Sequence, residues 1–167
     1  TLEIMDNVTI RAIEEFAKLR LPIDAGAMVL VEFDGFSEAA VDEEGNTAAH
    51  ILRTSGASEV TVANDASERD RIWQARRSAL AALSRAKPTS ILEDVTVPLP
   101  KLAEMIATVQ HIAEENNVVI GTFGHAGDGN LHPTVLTDER DEEDIARAER
   151  AIEQLFEAAL ELGGTLS

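Results

Sequence analysis

Two histidines flank a glycine-rich segment at residues 124–133, which reads Gly-His-Ala-Gly-Asp-Gly-Asn-Leu-His-Pro. Asp128-Gly129 between extended segments is a strong signal for a two-residue hairpin turn. With those two residues in the turn, His125 directly faces His132, and residues so opposed have Cβ atoms about 4.5–5.5 Å apart on one face. Two imidazoles in that position can both bind one metal ion. The spacing therefore predicts half of a metal site, in a hairpin of this register.

A purely structural interpretation of the segment also stays open, in which the histidines only pack or cap. A plain hairpin needs one glycine, whereas this one has three, at Gly124, Gly127 and Gly129. Glycines beyond the turn indicate that another backbone, a cofactor or a ligand comes close. The spacing is not that of the dinucleotide-binding fingerprint, and the chain has neither a P-loop nor a calcium loop.

Arg76 is the second candidate, because it lies in the middle of an apolar helix face. That face is formed by Ile72, Ala79, Leu80 and Leu83 at helical spacing. A guanidinium keeps its charge, so on such a face it needs an anionic partner or a route to solvent. The partner is either an internal carboxylate, for which Glu93 and Asp94 are candidates, or the carboxylate of a substrate.

The elements that must position these residues alternate between strand and helix. The patterns predict helices over about 7–20, 37–53, 65–86, 98–115 and 138–162, and strands over 27–33, 59–63, 91–97, 117–123 and 130–136. Gly163 is placed to end the last helix in the left-handed conformation. The repeated pattern predicts an α+β fold, in which two ferredoxin-like strand–helix–strand units share a mainly antiparallel sheet with helices packed on one face.

Composition excludes several classes of protein. The 167 residues include 14 Lys and Arg against 31 Asp and Glu, a net charge of −17, which argues against a nucleic-acid binder and against docking on an anionic membrane. No cysteine is present, so disulfides and thiol chemistry are excluded, which suits a cytoplasmic protein. No apolar run approaches the roughly 20 residues of a transmembrane segment. Both ends look cut, so we expect a fragment of a longer protein.

The order of several motifs resembles the C-terminal domain of FAD-linked oxidases of the glycolate oxidase flavin-subunit, D-lactate dehydrogenase and D-2-hydroxyglutarate dehydrogenase type. The most specific match is the segment 124–133. Weaker matches are Val31–Gly35, Trp73–Arg76, Glu93–Pro98 and Leu162–Ser167. The resemblance covers nearly the whole chain, and identifies residues 1–167 as a partial C-terminal substrate-binding (cap) domain. The FAD-binding domain of such enzymes lies outside this chain.

The resemblance implies that the full-length protein oxidises a small D-2-hydroxy acid to the 2-oxo acid. It implies that His125 and His132 bind a divalent metal such as zinc, and that Arg76 binds the substrate carboxylate. We expect Arg76 to point to a cleft shared with the hairpin rather than to lie in a closed salt bridge. Relatives continue past Ser167 with Gly-Glu-His-Gly, which supplies a third ligand and the catalytic base. No catalytic residue is therefore assigned here, and the fragment alone is expected to be inactive.

Leu92 bears on the choice of substrate. Some 2-hydroxyglutarate-type relatives have a lysine there that helps to hold substrate, so Leu92 favours glycolate or D-lactate over a dicarboxylate. The partners implied are the FAD-binding domain, the 2-hydroxy acid and an unassigned electron acceptor. The competing hypothesis is a non-enzymatic α+β module for small-molecule sensing or oligomerisation, which leaves the histidine hairpin and Arg76 unexplained.

Overall fold

The structure is a computed structural model, and it describes residues 1–166. Within this range it contains seven strands and five α-helices, with a single 3-10 turn at Leu99–Lys101. In chain order they are β1 (Leu2–Asp6), α1 (Asn7–Ala17), β2 (Ala27–Val31), α2 (Glu38–Thr54), α3 (Ala66–Ala86), β3 (Thr89–Leu92), β4 (Val95–Thr96), α4 (Leu102–Asn116), β5 (Val119–His125), β6 (Asn130–Thr137), α5 (Glu142–Glu161) and β7 (Thr165–Leu166).

The strands form one sheet in the order β2-β1-β5-β6-β4-β7, and β3 also pairs with β6. Every strand pairing in residues 1–166 is antiparallel. The predicted α+β class with a mainly antiparallel sheet is therefore confirmed. From β4 to β7 the order is strand–helix–strand–strand–helix–strand, which is that of a ferredoxin-like unit.

The first half of the chain departs from the predicted elements at two places. The predicted strand at 59–63 is wrong: the segment is largely exposed and pairs with no strand of the described chain, so its alternating pattern has no sheet to join. The strand β1 was not predicted, because Asp6 ends it and caps α1 at the same residue. The Asp6 side chain accepts a hydrogen bond from the Thr9 amide at 2.8 Å, so no turn separates strand from helix.

Helices cover both faces of the sheet, so the predicted placement on one face is wrong. The pair α4 and α5 packs on a cluster that includes Ile4 and Val135. The pair α1 and α3 packs on a second cluster that includes Met5 and Leu136. Neighbouring residues of a strand point to opposite faces. Since the central strands have apolar residues at both positions, both faces need cover.

The helix ends follow the capping residues. Asp141 caps α5 by accepting from the amides of Glu143 and Asp144 at 2.9 and 3.2 Å, so the helix begins later than 138. Gly163 follows α5 with φ of 80°, which confirms the predicted left-handed stop. In residues 1–166 no helix combines the length and the apolarity needed to cross a bilayer.

Candidate functional site

The hairpin of β5 and β6 has a different register from the predicted one. Its turn is wider than two residues: His125 pairs with Asn130, Phe123 pairs with His132, and the amides of Asp128 and Gly129 both donate to the His125 carbonyl. The predicted direct opposition of His125 and His132 is therefore wrong. The shift equals two residues along one strand, so both rings still lie on one face as diagonal neighbours. Their centroids are 5.4 Å apart, and the ring planes meet at 88°.

At two of the three glycine positions, neighbouring backbone leaves no room for a side chain. A Cβ on Gly124 would collide with the Asn130 carbonyl, and would lie 2.8 Å from the Leu131 Cα. Gly129 has φ of +83°, and a Cβ there would collide with the Val97 carbonyl. Gly127 has room, since its nearest neighbour would be the Leu2 Cβ at 3.6 Å. Close approach of another backbone, one of the predicted causes, is thus found at two positions.

Glu3 on β1 joins the two candidate groups, and the sequence analysis missed it. Its Oε2 accepts from Arg76 Nε at 2.7 Å, and its Oε1 lies 2.9 Å from His125 Nδ1. The residue is only 5% exposed. The sequence did contain one sign of it, a single carboxylate in the otherwise apolar run Leu-Glu-Ile-Met. That sign can be interpreted only when β1 is known to be a strand, because Glu3 and Met5 then lie on one face.

Arg76 lies beside the hairpin, as predicted, but it is also held in an internal ion pair. Its side chain is 14% exposed, and its guanidinium carbon lies 4.8 Å from the centre of the Phe123 ring. The ion pair with Glu3 makes the prediction against an internal salt bridge wrong. It uses Nε only: within residues 1–166 neither Nη1 nor Nη2 has a hydrogen-bond partner. The terminal edge of the guanidinium is thus available for a further anion.

His132 is the more buried histidine, and Asp94 is its neighbour. The His132 Nδ1 lies 3.5 Å from the Asp94 Oδ2, too far and too poorly aligned for a good hydrogen bond. Burial lowers the pKa of His132, and nearby His125 and Arg76 add to this, while Asp94 and Glu3 oppose it. The imidazole is therefore neutral at neutral pH, which is the form that binds a metal.

The two histidines fit the ligands of a metal ion, but the set is incomplete. His125 Nδ1 is held on the Glu3 carboxylate at 2.9 Å, whereas His132 Nδ1 has Asp94 only as a neighbour at 3.5 Å, and neither Nε2 has a hydrogen-bond partner in the described chain. Metal-binding histidines commonly hold the second ring nitrogen on a carboxylate in this way. In addition, His132 Nδ1, Asp94 Oδ1 and Asn130 Oδ1 are buried without a partner in residues 1–166. No group of three His, Cys, Asp or Glu side chains in that range could hold an ion.

All of residues 1–167 match the family described as FAD linked oxidases, C-terminal domain. The chain belongs to this family. The predicted resemblance is confirmed, and several of the motifs quoted for it fall on the site just described. They include Trp73–Arg76, Glu93–Pro98 and the hairpin.

Curated relatives of this FAD-linked oxidase domain are similar along its whole length. Glycolate oxidase subunit GlcD of Bacillus subtilis is 45% identical over 167 residues, covering 100% of this chain and 35% of that protein. Glycolate oxidase subunit GlcD of Escherichia coli is 36% identical, with 99% of this chain and 33% of that protein covered. A Danio rerio protein named "Probable D-lactate dehydrogenase, mitochondrial" is 30% identical, with 98% and 33% covered. The chain thus spans about a third of the length of these relatives.

Leu92 also lies on the site face of this FAD-linked oxidase domain. It pairs with Thr134 on β6, and Thr134 is two residues from His132, so the three side chains point to the same face. Leu92 is 40% exposed, so part of its side chain is accessible to solvent.

Proposed function

We propose that this chain is the substrate-binding cap domain of a flavin-dependent enzyme that oxidises a small D-2-hydroxy acid, of the glycolate or D-lactate type, to the 2-oxo acid. Family membership and the printed names of the relatives support this proposal. The observation that carries it is the convergence of Arg76, His125 and His132 on one sheet face, through Glu3 and Phe123. FAD is held by a separate domain of the full-length protein.

Arg76 binds the substrate carboxylate in this proposal. Its Nε is committed to Glu3, which leaves Nη1 and Nη2 as a parallel pair of donors. Such a pair matches the two oxygens of a carboxylate and fixes its plane as well as its position. The Phe123 ring beneath the guanidinium keeps that side of it away from water. Because Glu3 pairs with both Arg76 and His125, an acid held by Arg76 would lie on the same side of the sheet as the histidines.

His125 and His132 bind a divalent metal such as zinc through Nε2, with the third ligand supplied from outside residues 1–167. A metal held there would supply Lewis-acid chemistry, lowering the pKa of the C2 hydroxyl of a bound acid, and a flavin in the adjoining domain would supply the hydride acceptor. The contribution of this chain is to present two imidazoles in fixed orientation. Burial of His132 serves that role, because it lowers the pKa and keeps the ring unprotonated.

Leu92 favours acids with one carboxylate. With Arg76 on the C1 carboxylate, a longer dicarboxylic acid would place its second charge near an apolar side chain on this face. That charge would lose water without gaining a partner. Glycolate and D-lactate have no second charge.

Kinetics of the FAD-loaded full-length protein with an artificial dye as electron acceptor test the proposal. We expect turnover of glycolate or D-lactate, with kcat/KM for D-2-hydroxyglutarate lower by about tenfold or more. The variant Leu92→Lys should narrow that gap. If the flavin is bound but no 2-hydroxy acid reduces it, the enzymatic proposal is wrong and the alternative of a sensing or oligomerisation module is favoured.

A further inference from the structure

Glu3 is a single buried carboxylate with two functional partners, and this sharing has consequences for both. We propose that Glu3 is a positioning residue: it fixes the tautomer of His125 and the orientation of Arg76 together. This inference rests on the proposed function, because it concerns the metal half-site and the carboxylate-binding arginine. Glu3 lies on β1, which is hydrogen-bonded on both sides, to β2 and to β5. It is therefore carried by one of the inner strands of the sheet.

The first consequence concerns the proton on His125. Arg76 can only donate, and the carboxylate that it pairs with can only accept. With Oε2 taken by Arg76 Nε at 2.7 Å, Oε1 at 2.9 Å from His125 Nδ1 is also an acceptor. Nδ1 therefore carries a hydrogen, and in the form of the ring that can bind a metal it is the only nitrogen that does. The lone pair is then on Nε2, which faces away from Glu3 and is the atom that a metal needs.

The second consequence concerns the guanidinium plane. A bond through Nε alone fixes the near edge of Arg76 on Glu3, and the Phe123 ring at 4.8 Å supports one side of it. Nη1 and Nη2 thus point away from Glu3, and within residues 1–166 neither has a hydrogen-bond acceptor. A bond through either Nη would have consumed the edge that a substrate carboxylate requires.

The two histidines depend on their carboxylates to different degrees. Glu3 makes a hydrogen bond to His125, whereas Asp94 lies 3.5 Å from His132 and its other oxygen is buried without a partner. His125 is also the more exposed side chain, at 45% against 14%. Its orientation therefore depends on Glu3, while that of His132 is set mainly by packing against Phe123.

The variant Glu3→Gln separates positioning from simple charge balance. A glutamine has one acceptor oxygen and one donor group at the same place. Since Arg76 cannot accept, the oxygen stays with Arg76 and the amide group faces His125 Nδ1. His125 then shifts to the tautomer with its hydrogen on Nε2, which blocks the metal. We expect the zinc affinity of the full-length protein to fall about 10- to 100-fold, the range typical for loss of such a supporting contact.

Two readouts on the full-length protein, labelled with ¹⁵N-histidine, test this inference. The ¹⁵N shifts of the imidazoles, assigned with His125→Gln, should show Nδ1–H for His125 in the wild type and Nε2–H in Glu3→Gln. Zinc titration should show the loss of affinity. The matched control is Glu104→Gln, an equal charge change at an exposed residue whose carboxylate pairs with Lys101. It should change neither readout, and Asp94→Asn should leave the His125 tautomer unchanged.

The outcomes separate this inference from the proposed function. An Nε2–H tautomer of His125 in the wild type would overturn the inference even if Glu3→Gln cannot be folded. The inference would also be overturned if folded Glu3→Gln had the same His125 tautomer and the same zinc affinity as the wild type. If the wild type binds no zinc, the metal part of the proposed function fails, while the tautomer of His125 still decides the role of Glu3.

Discussion

Phe123 and His132 face each other across β5 and β6, with ring centroids 5.4 Å apart and planes at 48°. The same Phe123 ring lies under the guanidinium of Arg76. One aromatic side chain therefore lies between Arg76, the proposed carboxylate-binding group, and His132 of the proposed metal half-site. Because Phe123 is buried and fixed by the sheet, that spacing is a property of the fold rather than of a flexible loop.

Gly124→Ala should disturb this spacing. A methyl group at Gly124 meets the backbone of Asn130 and Leu131 on the neighbouring strand, which cannot move without opening the hairpin. We expect the free energy of unfolding to fall by about 1–3 kcal/mol, as for other overpacked sites. Gly127→Ala, in the same hairpin, is the control and should change stability by less than about 0.5 kcal/mol. Urea denaturation of the two variants compares them, and equal stability would show that the strand contact is not tight.

Arg76→Lys should damage turnover of 2-hydroxy acids in the full-length protein. A lysine can keep the ion pair with Glu3, but it cannot also offer two parallel donors to a substrate. We expect kcat/KM to fall about 10- to 100-fold, since a hydrogen bond to a charged group contributes about 1.5–3 kcal/mol. Steady-state kinetics at equal FAD loading measure this.

Arg77→Lys is the matched control for that experiment. Arg77 is the next residue of α3, it is exposed, and its hydrogen bond goes to the Asp70 carbonyl rather than to the hairpin. It should retain wild-type kcat/KM. If Arg76→Lys does the same, Arg76 is only the structural partner of Glu3.

The hairpin shows what a sequence pattern can and cannot determine. Asp128-Gly129 correctly predicted a turn between two strands, but the chain closes it with a wider loop, and the pairing moves accordingly. Alternation along a strand has a period of two, so a shift of two residues keeps both histidines on one face. The shared face was therefore predictable from the sequence, whereas the exact partners depended on the loop geometry.

The position of Arg76 on its helix could be predicted from the sequence, but its partner Glu3 could not. The wheel placed Arg76 correctly beside buried Ala79 and Leu83, but Leu80, which it placed on the same face, is exposed. The partner of Arg76 came from β1, 73 residues away in sequence. A contact over that distance is set by which strands pair, and no local pattern contains that information.

Asp144→Asn should change the acid stability of the chain. Asp144 is buried and accepts from Lys87, Arg147, Thr137 and the Asp138 amide at 2.8–3.2 Å. These contacts, above all that with Lys87, hold the pKa of Asp144 far below its usual range. A lowered folded-state pKa gives stability that is present above the unfolded-state pKa of about 3.9 and is lost as the pH falls below it. The free energy of unfolding of the variant should therefore be about 1–3 kcal/mol lower than that of the wild type at pH 7. Below pH 4 it should fall less steeply with pH than the wild-type value does.

Glu143→Gln is the control for Asp144→Asn, because it removes the same charge beside the same arginine at an exposed side chain. Glu143 lies 4.0 Å from Arg147 and is 91% exposed, so its removal should alter stability by less than about 0.5 kcal/mol. Denaturant titrations at several pH values from 7 downward make the comparison. Parallel stability curves for Asp144→Asn and the wild type would show that another acid causes the acid sensitivity.

Zinc should bind the 167-residue chain weakly. A catalytic zinc site normally has three protein ligands and an open position, whereas the proposed site has two, His125 and His132, and no group of three possible ligands is found in residues 1–166. Calorimetric titration should therefore show a shallow isotherm that disappears in His132→Ala. His111→Ala is the control, since His111 is an exposed residue of α4 paired with Glu115. Tight one-to-one binding that needs His132 would mean that a third ligand lies within residues 1–167. Binding that survives His132→Ala would exclude the hairpin as the zinc site of this chain.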